Sequence, residues 1–340
     1  MSGGRTDAGI DDLEALARAA LALWGVTDHP PELIARRENV VFRVRTATGS
    51  PAVLRIHRLG YHDDATLRSE LEWMAMLRTG GLDVPEPIPA SDGALLLHVH
   101  TSALPDLRQV DMLSWLDGRP LGRSGAPLAL DRGALQTVFF DLGAAASRLH
   151  TLADGWTRPP GFSRPAWDLD GLVGPDPFWG RFWKLDELTG DQRRLIERAR
   201  DAAREDLAVY AASGGSYGLI HADLVRENVL VTGDGVQLID FDDAGFGWRM
   251  FEIATMLCKN RHEPDYDVIE RAVLDGYRRH RTLQDADFAA LPLFMLLRCL
   301  TYLGWAQTRR TAEAAHPRTA AFVTDACEIA GAYLRDRPRS

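Results

Sequence analysis

The sequence lacks an excess of positive charge, a long uncharged apolar run and a pattern of paired cysteines. Its 340 residues carry a formal net charge of −9, whereas nucleic-acid-binding domains usually display a basic face. The longest apolar run, residues 291–305, is interrupted by Arg298 and is too short for a membrane-spanning helix. The first nine residues are polar and glycine-rich, unlike a secretory signal. We therefore expect a protein that binds neither nucleic acid nor membranes.

The cysteine content is also low, and it bears on the compartment. The three cysteines are far apart, lack metal-ligand spacing and are odd in number, so a disulfide framework is not expected and the cytoplasm is the predicted location. A chain of 340 residues is long for a single hydrophobic core, which favours two lobes or domains. The sequence contains no signal for an oligomeric state.

Residues 221–228 (HADLVREN) and 239–242 (IDFD) form the most informative pattern. Asp223 is followed by Asn228 five residues later and by Asp240 twelve residues after that. Residues 229–238 read as two strands around a Gly-Asp-Gly turn, which predicts a β-hairpin. Because a hairpin returns on itself, Asn228 before its first strand and Asp240 after its second strand are expected to lie side by side.

These residue types suit phosphoryl transfer, in which the protein mainly positions the reactants and neutralises charge. Asp223 is the candidate catalytic base, which orients the attacking hydroxyl and accepts its proton. Asn228 and Asp240 offer hard oxygen ligands for a Mg²⁺ ion that carries nucleotide phosphates. His221 is expected to pack and hydrogen-bond the loop rather than to act as the base. An ordinary hairpin with acidic turn residues explains each residue singly but not the joint pattern.

The motif His-x-Asp-x4-Asn, followed by Ile-Asp-Phe-Asp, resembles the catalytic loop and metal-binding segment of the aminoglycoside phosphotransferase superfamily. That superfamily includes choline kinases, type II homoserine kinases and a bacterial stress-response kinase. Residues 240–247, which lead into residues 250–254, are similar to the family's continuation into a helix. The resemblance extends from about Glu38 to the C-terminal helices. It implies the protein-kinase fold, ATP and Mg²⁺ as cofactors, and the roles named above for the acidic residues and Asn228.

Hydrophobic periodicity predicts an α+β chain with an N-terminal helical extension over residues 1–30, a small lobe over 31–116 and a catalytic, acceptor-binding lobe over 117–340. In the small lobe, strands are predicted within 32–46, 51–58, 94–100 and 108–116, and a helix over 63–78. In the second lobe, helices are predicted over 134–152, 191–212, 251–258, 266–280, 285–308 and 318–336. With the family resemblance, this is a two-lobed protein-kinase-like fold, with a small antiparallel-sheet lobe containing one helix and a mostly helical second lobe.

The small lobe is expected to bind the nucleotide. In kinase-like folds a basic residue of the third strand clamps the phosphates and pairs with a Glu of the following helix. Arg55 stands where the family normally has Lys, and Glu70 lies fifteen residues later on the predicted helix. Arg grips phosphate with a different geometry from Lys, so the replacement leaves open a weakened or inactive kinase. The alternative is an ordinary surface ion pair.

Two further segments are assigned to the nucleotide. Residues 110–118 resemble a hinge, where backbone atoms near Ser114 and Leu116 would hydrogen-bond adenine; the alternative is an edge strand that leaves the lobe. The Glu38-Asn39 pair resembles the polar turn that replaces a glycine-rich phosphate loop in the superfamily. Asn39 suits this turn because Asn tolerates the left-handed backbone conformations of tight turns.

The acceptor side leaves alternatives open. Arg226 contacts the transferred phosphate or is solvated. The Trp-rich segment 155–183 forms a wall for the substrate or anchors the packing of the lobe. An acidic pocket for an amine-bearing alcohol is a further hypothesis, built from Asp242, Asp243, Glu252 and Glu263.

These observations predict an ATP- and Mg²⁺-dependent phosphotransferase that moves the γ-phosphate to a hydroxyl of a small molecule. The expected acceptors are amino alcohols and aminoglycoside-like or homoserine-like compounds. One alternative is a bacterial Ser/Thr protein kinase of the stress-response kind, which the Asp242-Asp243 pair favours. Another is a nucleotide-binding pseudokinase, which the presence of Arg55 favours.

Overall fold

The computed structural model describes residues 9–36, 39–309 and 317–337. The chain divides into two compact units. The first consists of Met1–Gly118, Trp156–Arg164 and Gln237–Ile239. The second consists of Arg119–Gly155, Pro165–Val236 and Asp240–Ser340.

The first unit contains a five-stranded antiparallel sheet and two helices among its described residues. Its elements are α1 (Ile10–Leu23), β1 (Glu32–Arg36), β2 (Val40–Arg45), β3 (Pro51–Ile56), α2 (Asp64–Thr79), β4 (Leu97–Val99) and β5 (Arg108–Ser114). The strand order is β1-β2-β3-β5-β4, so β3 and β5 are neighbours. Their register places Arg55 opposite Asp111.

The helix α2 begins where the sequence predicts. The Asp63 carboxylate caps it by accepting a hydrogen bond of 2.8 Å from the Thr66 backbone N–H, which satisfies one of the free donors of the first turn. Apolar residues of α2, including Leu67 and Leu71, are buried as the helical periodicity requires. Glu70 is also completely buried, and a charged side chain in that position needs a partner.

The core of the first unit lies where α1 meets the sheet. Leu16 and Ala20 of α1 belong to the same cluster as Phe42 of β2 and Leu54 of β3, and all four are fully buried. Full burial of a Leu or Phe side chain contributes roughly 1.5–3 kcal/mol. This core fixes β2 and β3, and β3 carries Arg55.

The second unit is mainly helical. Its elements are β6 (Arg119–Pro120), α3 (Arg132–Gly155), β7 (Ala166–Trp167), α4 (Leu169–Val173), α5 (Gly190–Ala212), β8 (Tyr217–Ile220), β9 (Val229–Thr232), β10 (Gly235–Leu238), β11 (Gly245–Trp248), α6 (Arg249–Cys258), α7 (Tyr266–Arg278), α8 (Asp285–Thr308) and α9 (Thr319–Asp336). Short strands form two three-stranded sheets, in the orders β10-β9-β6 and β7-β11-β8.

Two buried helices support the loop that follows β8. All ten residues of α6 are buried, as expected for a helix whose only polar residues are Arg249, Glu252 and Thr255. The helix α8 is long and apolar enough to cross a membrane by length and composition alone, contrary to the expectation that no run reaches that length. However, 61% of its apolar window is buried inside the protein, so α8 is a core helix of the second unit.

Most of the predicted elements are confirmed. The hairpin over residues 229–238 is present as β9 and β10, and the predicted helices are present with small shifts of their ends. The strand predicted over 94–100 is limited to Leu97–Val99, and the strand predicted over 108–116 ends at Ser114. The Trp-rich segment contains β7, α4 and a 3-10 helix over Phe182–Lys184.

Candidate active site

The loop that begins at His221 leaves β8 and enters a 3-10 helix over Arg226–Asn228. His221 is fully buried and packs against the Phe241 ring, with 4.4 Å between ring centroids. Its Nδ1 accepts a hydrogen bond of 3.3 Å from the backbone N–H of Asp223. The prediction that His221 shapes the loop is confirmed.

Ala222 adopts a left-handed backbone conformation with φ of 65°, which a residue with a Cβ atom adopts only at a cost. Its N–H donates to Glu252 Oε2 at 2.7 Å, and the N–H of His221 donates to Glu252 Oε1 at 3.2 Å. Burial raises the pKa of the Glu252 carboxyl to about 7, and these two N–H groups limit the rise. Glu252 therefore anchors the loop to α6.

Asp223 is held through both carboxylate oxygens. Its Oδ1 accepts a hydrogen bond of 2.6 Å from Nη2 of Arg298, which lies on α8. Its Oδ2 accepts a hydrogen bond of 2.9 Å from Nδ2 of Asn228. Burial raises the pKa of the Asp223 carboxyl to about 6, Arg298 opposes the rise and the negative charge of Asp243 adds to it. At neutral pH the group is therefore mainly ionised and able to accept a proton.

The orientation of the Asn228 amide is fixed by the same contacts. Its Nδ2 donates to the backbone oxygen of Asp223 as well as to Oδ2, at 2.9 Å in each case. Because the NH₂ group faces Asp223, the amide oxygen is directed elsewhere and suits a hard cation. Asn228 thus fits the predicted metal-binding role.

Asp240 lies two residues beyond the end of β10, and Asn228 lies immediately before β9. Strands joined by a two-residue turn are antiparallel, so both residues belong to the same end of the strand pair. Asp240 is exposed and has a φ of 67°, a left-handed conformation that Asp tolerates better than most residues. Among the described residues, no cluster of three His, Cys, Asp or Glu side chains is arranged to hold a metal ion.

In the first unit, Arg55 and Glu70 form the predicted ion pair, at 2.8 Å between Arg55 Nη1 and Glu70 Oε1. Arg55 also binds Asp111 in a bidentate manner, with Nε to Oδ1 at 2.8 Å and Nη2 to Oδ2 at 2.7 Å. His57 Nε2 lies 2.8 Å from Asp111 Oδ2, and Arg164 Nη1 lies 3.2 Å from Glu70 Oε2. Burial alone raises the pKa of the Asp111 carboxyl, but Arg55 and His57 outweigh burial and hold it well below its usual range.

The alternative of a surface ion pair is therefore wrong, because the side chains of Arg55 and Glu70 are 8% and 0% exposed. The contact between Asp111 and Arg55 was not predicted from the sequence. Two carboxylates now face the Arg55 guanidinium, which neutralises more of its charge than Glu70 alone.

Replacing Arg55 by Ala is expected to lower the free energy of unfolding by about 3–5 kcal/mol, because the change leaves buried carboxylates without their main counter-ion. Urea denaturation of the purified variant measures this loss. The control is Arg45→Ala on β2 of the same sheet, an exposed position where the expected change is within about 0.5 kcal/mol. Equal stability of the two variants would show that the buried network contributes nothing beyond a surface arginine.

The remaining nucleotide predictions rest on the hinge and the polar turn. The Ser114 N–H donates to the Glu86 carbonyl at 2.8 Å, so this donor is already used within the protein. Among the described residues, the Leu116 N–H donates to no backbone carbonyl outside the helices and strands. Asn39 Oδ1 accepts a hydrogen bond of 3.2 Å from the Arg58 N–H, whereas Glu38 lies outside the described residues.

The hypothesis of an acidic acceptor pocket is wrong for two of its four carboxylates. Glu252 binds loop N–H groups, as described above. Glu263 forms a salt bridge of 2.5 Å with Arg226, which is 2% exposed and also donates to Asn260 at 2.7 Å. Arg226 is therefore neither solvated nor a phosphate contact; it links its loop to the segment that follows α6.

The other two carboxylates of the hypothesis are Asp242 and Asp243. Asp243 accepts a hydrogen bond of 3.1 Å from Trp179 Nε1, and Asp242 is buried.

The Trp-rich segment acts partly as a packing anchor. Trp167 is fully buried and stacks on Phe251 of α6, with 5.4 Å between ring centroids. Trp179 is 5% exposed and approaches Tyr302 of α8, with 6.1 Å between centroids. Both residues pack on the two helices that hold the Asp223 loop.

A small antiparallel sheet with a packed helix precedes a mainly helical unit, in which an Asp-Asn pair stands directly before a β-hairpin. This combination of fold and site defines a kinase-like phosphotransferase.

The chain belongs to the phosphotransferase enzyme family, whose model matches residues 32–288. The structure of a microcompartment-associated aminopropanol kinase is similar, with a TM-score of 0.81, 31% identity, and coverage of 94% of this chain and 97% of that one. The amicoumacin kinase of Bacillus subtilis is 24% identical over 302 residues, covering 86% of this chain and 83% of the relative. The homoserine kinase of Rhizobium johnstonii is 29% identical over 264 residues, covering 75% and 73%. The predicted family is confirmed, and the protein is a small-molecule kinase.

Proposed function

We propose that the protein transfers the γ-phosphate of ATP, in the presence of Mg²⁺, to the hydroxyl of a small amino alcohol. The observation that carries this proposal is the fixed Asp223 carboxylate, which is bound on one oxygen by Arg298 and on the other by Asn228. A carboxylate held in this way can orient an acceptor hydroxyl and accept its proton as the phosphoryl group is transferred.

In the proposed site of the second unit, Asn228 and Asp240 hold the magnesium ion. One amide and one carboxylate suit Mg²⁺, which usually keeps several waters and phosphate oxygens among its ligands. The bound ion neutralises charge on the nucleotide phosphates. In the first unit, we assign the adenine contacts to the backbone of Ser114 and Leu116, and phosphate contacts to Asn39 and Arg55, the latter held by Glu70.

The acceptor class rests on two supports. The aminopropanol kinase resembles this chain over nearly its whole length, and the homoserine kinase also acts on a compound with a hydroxyl and an amino group. In addition, Asp243 lies close enough to Asp223 for its charge to raise the pKa of that carboxyl. Two carboxylates near the acceptor position favour a cationic amine beside the hydroxyl.

A screen of matched acceptors tests this proposal, with ADP release as the signal and ³¹P NMR to identify the phosphate ester. We expect 1-amino-2-propanol, ethanolamine or homoserine to stimulate turnover, and 1,2-propanediol, which lacks the amine, to stimulate it far less. Protein prepared in parallel with Asp223→Asn corrects for contaminating kinases. Equal rates with the amine and the diol would contradict the acceptor class but not the reaction.

A second candidate function is nucleotide binding without transfer, which the extensive neutralisation of Arg55 by Asp111 and Glu70 favours. The same screen separates the two functions. ATP binding without ADP release for any acceptor would replace the proposed enzyme by a regulatory module.

A further inference from the structure

Arg298 is a charged residue in an otherwise apolar stretch. It is the only Lys, Arg, Asp or Glu of α8 after Asp287, and its side chain is completely buried. Burial of a guanidinium without a counter-ion would cost several kcal/mol, so its partners define its role. These partners are the carboxylate of Asp223, at 2.6 Å, and the backbone oxygen of Ala222, at 3.0 Å.

Three aromatic rings enclose the guanidinium of Arg298. Its central carbon lies 4.8 Å from the ring centroid of Trp179, 4.5 Å from that of Tyr302 and 5.4 Å from that of Phe251. Such rings attract a cation and restrict its movement. The direction of the guanidinium fork is therefore set by packing.

The two partners of Arg298 are adjacent residues at the left-handed turn of the loop. Glu252 on α6 accepts the N–H of Ala222, and Arg298 on α8 donates to its carbonyl oxygen. The strained residue is thus bound on both sides of its backbone, and the next residue in the chain is the proposed base. Arg298 fixes both the turn and the side chain that the turn presents.

We propose that Arg298 is the positioning residue of the transfer reaction: it sets the direction in which Asp223 presents its free lone pairs to the acceptor hydroxyl. This inference rests on the proposed role of Asp223 as the base. Arg298 does not itself bind the transferred phosphate, because its side chain has no exposed surface. It acts on the reaction through Asp223 alone.

The chain contains a matched control for this inference. Arg249 on α6 is also a buried guanidinium, 1% exposed, and it also binds one carboxylate, Asp154, and one backbone carbonyl, that of Leu219. It has no contact with Asp223 in the part of the chain that the structure describes. If activity falls only because a buried arginine is missing, Arg249→Ala and Arg298→Ala should therefore lose activity to a similar extent.

We expect Arg298→Ala to lower kcat about 100-fold, the effect of a catalytic group displaced by about 1 Å, while the KM for ATP and the affinity for ATP change little. Millimolar guanidinium, far below denaturing concentrations, should enter the vacated site and raise kcat severalfold. It should not raise the kcat of Arg249→Ala. Equal losses in the two variants without rescue would reduce Arg298 to a structural residue and overturn the proposal.

Arg298→Lys keeps the positive charge but removes the forked guanidinium, which binds two acceptors at once. This variant provides the test if the alanine variant does not fold. We expect a lowered kcat with an unchanged KM for ATP, and a crystal structure in which Asp223 has rotated away from its contact with Asn228. A wild-type orientation of Asp223 would overturn the proposal even without an assay. Absence of turnover in the wild-type protein would instead refute the proposed function, so the two failures are distinguishable.

Discussion

Asp223→Asn is expected to lower kcat by about 10³–10⁴-fold, since an amide cannot accept the proton of the acceptor hydroxyl. The replacement keeps the shape of the side chain and an oxygen acceptor for Arg298, and Asn228 Nδ2 keeps its hydrogen bond to the backbone oxygen of residue 223, so the loop should keep its conformation. The affinity for ATP, measured by calorimetry, should stay within a few-fold of the wild-type value, because Asp223 contributes no proposed ligand to the metal.

The control for Asp223→Asn is Asp234→Asn. Asp234 occupies the exposed turn between β9 and β10, so its replacement removes the same charge from the same stretch of chain without affecting the loop. We expect the control to have wild-type kinetics. A kcat for Asp223→Asn close to that of the control would exclude Asp223 as the base and move the search to another acidic residue of the second unit.

Asp240→Asn is expected to weaken Mg²⁺-dependent binding of ATP by about 100-fold, because loss of a direct ligand should cost at least as much as the 10–100-fold typical of residues behind the ligands. Titration of ATP in the presence of Mg²⁺ and again in the presence of EDTA measures this effect. The variant should bind ATP more weakly than the wild type with the metal, and at least as tightly as the wild type without it.

The comparison between Mg²⁺ and EDTA separates a metal ligand from a general effect of charge. An altered charge alone would change binding in both conditions, and removing a negative charge would strengthen the binding of an anionic nucleotide. Binding by Asp240→Asn that is not weakened in Mg²⁺, or a weakening that persists in EDTA, would contradict the assignment of Asp240 and leave Asn228 as the remaining predicted ligand.

The parts of the site that could be predicted from the sequence are those that local signals encode. The Gly-Asp-Gly turn between two short strand-like segments identified the hairpin, and the spacing of Asp223 and Asn228 lies within one loop. The pairing of Arg55 with Glu70 was also predictable, because the family resemblance supplied a strand and a helix at a known separation. Each of these inferences needs only neighbouring residues or a fold already suspected.

Arg298 and Asp111 were missed because their partners are distant in the sequence. Arg298 lies 75 residues from Asp223, and Asp111 lies 56 residues from Arg55. A single arginine within an apolar helix signals that a buried counter-ion must exist, but only the tertiary fold shows which carboxylate meets it. Composition was also insufficient to predict the roles of Glu252 and Glu263. The Glu252 carboxylate accepts from loop N–H groups and the Glu263 carboxylate pairs with Arg226, so neither forms the hypothesised acceptor pocket.

The bidentate contact between Arg55 and Asp111 also constrains how the sequence can diverge. A change of Arg55 to Lys would leave one oxygen of Asp111 without its donor, and a change of Asp111 alone would leave Arg55 and His57 with a single carboxylate, Glu70, nearby. Neither step is neutral by itself, whereas the double replacement restores a balanced lysine–glutamate pair. Homologues with lysine at the position of Arg55 are therefore expected to carry an uncharged residue at the position of Asp111, and a charged residue retained there would contradict this constraint.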